Sequence, residues 1–177
     1  MTEPIQYPSE TARYRHLTED YCVGAGLDIA SAGDPVVPWA WQLELPKAEF
    51  AHYNSGHAPL GPIQLEGHAQ QLPVVSGSLD FVYSSHLLED FPDWEPVLRE
   101  WVRPLKKGGH LVVLIPDRQR WCEACAKGQT PNDFHRHEGR VGELSEYCAR
   151  LGLEVIKDEF TNLYSGDYTI LFVAKKV

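Results

Sequence analysis

Apolar positions recur along this chain with two different periods, and the alternation of those periods sketches a fold. Trp94, Val97, Leu98, Trp101, Val102 and Leu105 repeat at helical spacing, the stripe of an amphipathic helix. Asp93 is placed to cap it, Pro96 falls in the tolerated first turn, and Lys106-Lys107 is expected where the helix dipole favours cations, before Gly108-Gly109 ends it. Val141, Leu144, Cys148 and Leu151 mark a second helix that stops at Gly152, and Tyr14, Leu17 and Tyr21 share one face of a shorter one over Glu10 to Tyr21, with Ser9 as its cap. Short apolar runs read instead as strands, Gly24 to Ala30, Ala40 to Leu45, Leu79 to Ser84 and His110 to Ile115, the last expected to be buried on both faces. Ile63 to Glu66 is a short additional strand, and Leu153 to Phe160 and Tyr168 to Lys175 are two more, separated by the tight turn TNLYSGD.

Strands alternating with helices predict a mostly parallel α/β sheet covered on both faces. The last two strands are joined too tightly for a parallel crossover, so that pair is expected to be antiparallel. The first crossover, Ser31 to Pro38, is also short and carries Pro35 and Pro38, which leaves no room for a full helix. Pro46 to Pro62 and Lys127 to Gly139 read as loops, Gly67 to Pro73 as a turn, and Asp117 to Ala126 as a short helix. In such sheets ligands collect at the carboxyl ends of the strands. That directs attention to Ala30 to Asp34, Glu44, Gly67 to Gln70, Ser84 to Glu89 and Pro116 to Arg120.

Length and charge narrow the picture further. A chain of 177 residues, with no linker or repeat visible, is expected to form a single domain (1–177) with residues 1–8 as an N-terminal arm. A net charge of −9 disfavours a nucleic-acid or anionic-membrane surface, and no apolar run is long enough to span a bilayer. The first residues have neither a basic nor an apolar leader segment, and four cysteines in a chain of this length make no disulfide framework, so a reducing cytoplasm is the expected location.

The stretch GAGLDIASAGDPVVPWAWQLEL joins a strand, a turn of small residues and a second strand ending in an acid. Small residues let a backbone approach a ligand closely, and an acid there can accept two ribose hydroxyls. With GHAQQLP, SLDFVYSSHLLEDF and LREWVRPLKKGGHLVVLIPD following in order, the chain from about Ala25 to Asp117 resembles the class I S-adenosylmethionine-dependent methyltransferases of the small-molecule type. That resemblance implies a doubly wound, Rossmann-like sheet of seven strands in the order 3-2-1-4-5-7-6, strand 7 antiparallel, here with an abbreviated first crossover. It implies S-adenosyl-L-methionine as cofactor and a small-molecule methyl acceptor. Ala30, Ser31 and Gly33 would lie against the methionine portion, with Asp28 orienting the turn. Glu44 would take the ribose, His68 and Ala69 the adenine, and Ser84 and Ser85 the methionine end. His86 would face the reaction site. In the family the small-residue turn is normally Gly-x-Gly-x-Gly, and here Ala30 and Ala32 stand where glycines are usual; alanine is comfortable there if φ is negative.

Two further clusters carry chemistry. Asp133-Phe134-His135-Arg136-His137-Glu138 sits where the family's substrate-facing loop would be, making His135 and His137 secondary catalytic candidates or, equally, part of a solvated loop. Cys122 and Cys125 form a Cys-x-x-Cys pair, but too late in the chain for a redox motif and with a downstream His-x-His outside the usual zinc spacing; no metal site is expected. The leading functional reading is methyl transfer to a small molecule. The alternative is a catalytically inactive binding or scaffold protein of the same fold, and a partner copy completing a small open site would make a homo-oligomer.

Overall fold

The computed structural model describes residues 9–53 and 58–177. The arm at residues 1–8 and part of the 46–62 segment lie outside the described residues. Seven strands form one sheet in the order β3-β2-β1-β4-β5-β7-β6: β1 Gly26–Ile29, β2 Trp41–Glu44, β3 Leu65–Glu66, β4 Leu79–Ser85, β5 Leu105–Pro116, β6 Leu153–Phe160 and β7 Thr169–Lys176. The pairs up to β4–β5 are parallel, whereas β7 runs antiparallel to both β5 and β6. This is the topology and the antiparallel final pair expected from the sequence. The helices are α1 Glu10–Thr18, α2 Lys47–Tyr53, α3 Trp94–Val102, α4 Arg118–Ala126 and α5 Glu143–Leu151.

Strand alternation divides the core in two. Leu27, Ile29, Val82, Leu111 and Val113 point to the side covered by α3 and α5, where Trp94, Leu98, Trp101, Leu144 and Cys148 complete the packing. Phe81, Tyr83, Val112 and Leu114 point to the other side, against Tyr14 of α1 and Val36 and Val37 of the first crossover. Residues 111–115 are all fully buried, as their unbroken apolar run requires. Full burial of one such side chain contributes about 1.5–3 kcal/mol relative to leaving it in water.

The crossover between β1 and β2 contains no helix among the described residues, and α1 takes over its tethering. The Arg15 guanidinium donates to Asp34 Oδ1 at 2.6 Å, to Pro35 O at 3.0 Å and to Val36 O at 3.2 Å. Ser9, whose Oγ also caps α1 by accepting from Ala12 N, donates to Asp34 Oδ2. The prolines thus remove the helix, and a side chain from outside the crossover supplies the partners its backbone would otherwise lack.

Four local expectations need correction. Lys106 and Lys107 do not sit at the end of α3: that helix stops at Val102 because Pro104 cannot continue it, and both lysines belong to β5. Lys106 Nζ instead reaches Asp80 at 2.8 Å, beside a register irregularity between β4 and β5. Val141 lies before α5 and is exposed, since the helix starts only at Glu143 after left-handed Gly142. Residues 47–53, read as loop, form α2; Pro46 O accepts from Glu49 N and Phe50 N, and buried Phe50 anchors the turn. Ala30 and Ala32 take φ of +62° and +51°, not negative values. No helix among the described residues is long and apolar enough to cross a membrane.

Candidate functional site

At the carboxyl edge of the central strands lies a cleft of about 280 Å³. Its volume is near the lower end of the ~300–1,000 Å³ common for small-molecule sites. Ala30 and Ala32 from the turn after β1, Glu44 at the end of β2, His68 and Ala69 from the turn after β3, and His86 after β4 all line it. The fold brings these together because parallel strands deliver their C-terminal ends to one edge, so turns far apart in sequence converge.

The turn after β1 is held open in a left-handed form that alanine does not favour. Ala30 N donates to Leu43 O at 2.9 Å, and Ala32 N donates to Glu44 Oε1 at 2.5 Å. On its outer side Leu60 N donates to Ala32 O at 2.7 Å, and the Gly61 backbone lies so close that a Cβ on Gly33 would come within 2.2 Å of Gly61 N. Left-handed backbone costs a non-glycine residue roughly 1–2 kcal/mol, which these bonds offset.

Glu44 is 6% exposed, and burial pushes its carboxyl up to about 7 against the opposing hydrogen bonds from Ala32 and Leu45 N–H. Asp90, in the 3-10 turn Leu88–Asp90, lines the same cleft; burial lifts it to about 7 as well, with Arg136 opposing. Two carboxyl groups that titrate near neutrality therefore share one cleft. Phe50, Leu87 and Phe91 add apolar wall.

The remaining sequence candidates stand elsewhere. Asp28 is fully buried in β1 and does not line the cleft; its Oδ2 accepts from Val36 N at 2.7 Å, and burial raises its carboxyl well above the usual range. Ser31 Oγ donates to Gln42 Oε1 at 2.9 Å, and Ser84 Oγ to Ile29 O at 3.1 Å, so both hydroxyls serve the sheet. Gly33 and Ser85 are also outside the lining. His68 is half exposed, with Nε2 3.8 Å from Glu49 Oε1.

His135 and His137 lie off the cleft. His137 stacks on Trp94 at 4.2 Å between ring centroids and bonds Glu143 Oε1 at 2.7 Å. His135 sits behind His86: its Nε2 is 3.7 Å from Glu89 Oε1, while His86 Nδ1 is 3.3 Å from the same oxygen. Glu89 is fully buried, and its backbone carbonyl accepts from Arg136 N and His137 N. On its far side His86 Nε2 lies 3.3 Å from Thr169 Oγ1, within a set that includes Tyr14 and Asp167. Asp90, Glu89, Phe50, Tyr14 and Thr169 had no motif to mark them. Position alone could have found two of them: Glu89 closes the window after the fourth strand, and Asp90 stands one residue beyond it.

Comparison with known proteins bears on what this edge does. Residues 40–113 match the family model described as a methyltransferase domain. A curated relative from Mycolicibacterium smegmatis, a probable S-adenosylmethionine-dependent methyltransferase, is 30% identical over 114 residues; the match takes in 64% of this chain but only 42% of that protein. Among solved structures, an S-adenosylmethionine-dependent methyltransferase from Mesorhizobium loti superposes with a TM-score of 0.69 at 15% identity, covering 96% of this chain and 99% of that one. A Thermotoga maritima protein described as a possible histamine N-methyltransferase gives 0.65 at 24% identity, covering 94% and 92%. The [4+2]-cyclase SpnF gives 0.62 at 15% identity, covering 93% and 80%. The cofactor of such methyltransferases is S-adenosylmethionine, and the cleft combines a buried acid, Glu44, with apolar walls from Phe50, Leu87 and Phe91. The chain carries the fold of the class I S-adenosylmethionine-dependent methyltransferases, with residues 40–113 matching the methyltransferase domain.

Proposed function

We propose that this chain binds S-adenosylmethionine in the carboxyl-edge cleft and uses it to methylate a small-molecule acceptor. The observation that carries the reading is Glu44, a buried carboxylate at the end of β2 that lines the cleft beside the turn of Ala30 and Ala32. When bound, the cofactor supplies a methyl group on a sulfonium sulfur, open to in-line displacement by an acceptor's lone pair. Glu44 accepts the ribose hydroxyls, Ala69, Leu87 and Phe91 enclose the base, and Ala30 and Ala32 limit the space beside the turn. His86 walls the cleft beyond the end of β4, and the protein's contribution is chiefly alignment.

Calorimetric titration with S-adenosylmethionine and S-adenosylhomocysteine tests this. Binding in the micromolar range supports it, and no heat at millimolar ligand sinks it. A second reading has its own observation: Leu60 and Gly61 are seated against the turn, and methyl groups occupy two left-handed positions of it. A protein that uses the fold as a binding module, without methyl transfer, accommodates that arrangement, and SpnF is described as a cyclase on a similar fold. The four free thiols suit a reducing compartment such as the cytoplasm. A second copy completing the open edge is the oligomer to look for, by light scattering with and without cofactor.

A further inference from the structure

The direction of three consecutive hydrogen bonds, from Asp167 through Tyr14 and Thr169, decides the protonation of His86 Nε2. Asp167 is 2% exposed and its carboxylate accepts from Tyr14 Oη (3.1 Å), Thr169 N (3.0 Å), Leu163 N (2.8 Å) and Thr161 Oγ1. An ionised carboxylate has no proton to donate, so the Tyr14 hydroxyl spends its proton on Asp167. Tyr14 Oη must then be the acceptor toward Thr169 Oγ1 at 2.8 Å, and Thr169 spends its own proton there. What remains on Thr169 Oγ1 toward His86 is a lone pair. Nε2, 3.3 Å away, therefore carries a proton.

The other ring nitrogen faces a second carboxyl group. Nδ1 is 3.3 Å from Oε1 of Glu89, a side chain with no exposed surface and no well-aligned hydrogen bond. Two lone pairs cannot face each other there at tolerable cost, so one proton lies between them, whether on Nδ1 or on Oε1. In both placements Nδ1 is committed to Glu89, as donor or as acceptor, and His86 has no free lone pair to offer.

We infer that His86 is a locked hydrogen-bond donor, held by the Asp167–Tyr14–Thr169 chain on one side and Glu89 on the other, and acts as a positioning residue that takes no proton from the methyl acceptor. The inference rests on the proposed methyl transfer for its role and on the hydrogen-bond directions alone for the protonation state. Among the described residues the titratable and polar groups facing the ring are Glu89 on its own turn, Glu10, Arg13 and Tyr14 of α1, Asp167, Tyr168 and Thr169 of the β6–β7 region, and His135 beyond Glu89. Burial pushes the imidazole down, and Glu89 more than offsets it, so its pKa is raised. Asp167 is likewise held low by its four donors against burial. His86 also sits at φ +52°, a conformation that this double anchoring stabilises, with His86 N donating to Leu114 O. With His86 committed, the carboxyl groups lining the cleft that burial lifts to about 7 are Glu44 and Asp90, and Asp90 shares the turn with His86.

The test is nitrogen-15 NMR of the full chain with labelled histidines, without cofactor or acceptor, titrated from roughly pH 5 to 9. The expected spectrum shows His86 Nε2 protonated at neutral pH. Tyr14→Phe frees the Thr169 proton to turn toward Nε2, and the His86 midpoint should fall by about one unit, a tenfold loss of proton affinity. A wild-type Nε2 with the shift of a bare lone pair at neutral pH overturns the inference, as does a folded Tyr14→Phe with an unchanged midpoint, which is what a packing role alone gives. If Tyr14→Phe does not fold, the wild-type spectrum decides. Cofactor binding is read separately by calorimetry: a protonated Nε2 without binding leaves the donor assignment standing and removes methyl transfer, and binding with a bare Nε2 does the reverse.

Discussion

Single residues at the cleft carry two predictions. The left-handed alanines are the first. Ala32→Gly removes a left-handed penalty of roughly 1–2 kcal/mol and adds back the larger entropy of unfolded glycine, so it should stabilise the fold by up to about 1 kcal/mol. Urea melts of wild type and variant measure it, and a variant less stable than wild type shows that the methyl packs. Glu44 is the second. Its folded pKa, about 7, is above the ordinary value of 4.5, so its contribution to stability is full below about pH 4.5 and is lost as pH rises through 7. Glu44→Gln should flatten that part of the stability profile. Ribose hydroxyls donate best to the ionised form, so cofactor affinity should rise with pH through neutrality in wild type and stay flat in Glu44→Gln. Glu44→Ala should weaken binding roughly tenfold or more, the worth of hydrogen bonds to a charged group. Calorimetry across that pH range checks both, and an affinity independent of pH would remove Glu44 from the ribose.

At the scale of elements, the contact between the turn after β1 and the segment around Gly61 is a backbone-to-backbone approach with no slack. Gly33→Ala places a Cβ on a φ of +84° and within 2.2 Å of Gly61 N, so one of the two segments must move. Hydrogen exchange at Leu60, whose N–H is bonded to Ala32 O at 2.7 Å, should accelerate at least tenfold while β4 and β5 stay protected. Unchanged protection of Leu60 would mean that the approach is looser than it stands. The same scale explains the mistaken helix end at Lys106: the apolar stripe runs on to Leu105, but Pro104 breaks the ladder, and Leu105 is buried as the first residue of β5. Periodicity records which side chains are buried and cannot tell which element buries them.

Across the whole molecule, thiols are spread over separate regions: Cys22 and Cys148 are buried in opposite core layers, while Cys122 is exposed on α4 with Cys125 partly so. No group of three or more metal-ligating side chains gathers among the described residues. Metal analysis of untagged protein should find less than stoichiometric zinc, and a chelator should leave the melting temperature unchanged; a large drop would reveal a structural metal, whose removal costs much of the folding energy. What the sequence by itself determined was the sheet. Unbroken apolar runs such as 111–115, helical spacing in α3 and the short final turn specify strand type, order of elements and an antiparallel end pair, because burial on one or two faces leaves a local periodic record. Glu44 and His86 were legible for the same reason, as polar residues at the ends of such runs. The tertiary structure alone decided the rest. The sign of φ at Ala30 and Ala32, the burial that lifts Glu44 and Asp90, and the chain from Asp167 through Tyr14 and Thr169 to His86 join residues up to 155 positions apart. Hydrogen-bond direction and desolvation depend on what lies across a contact, and a contact between α1 and β7 leaves no periodic trace in either segment.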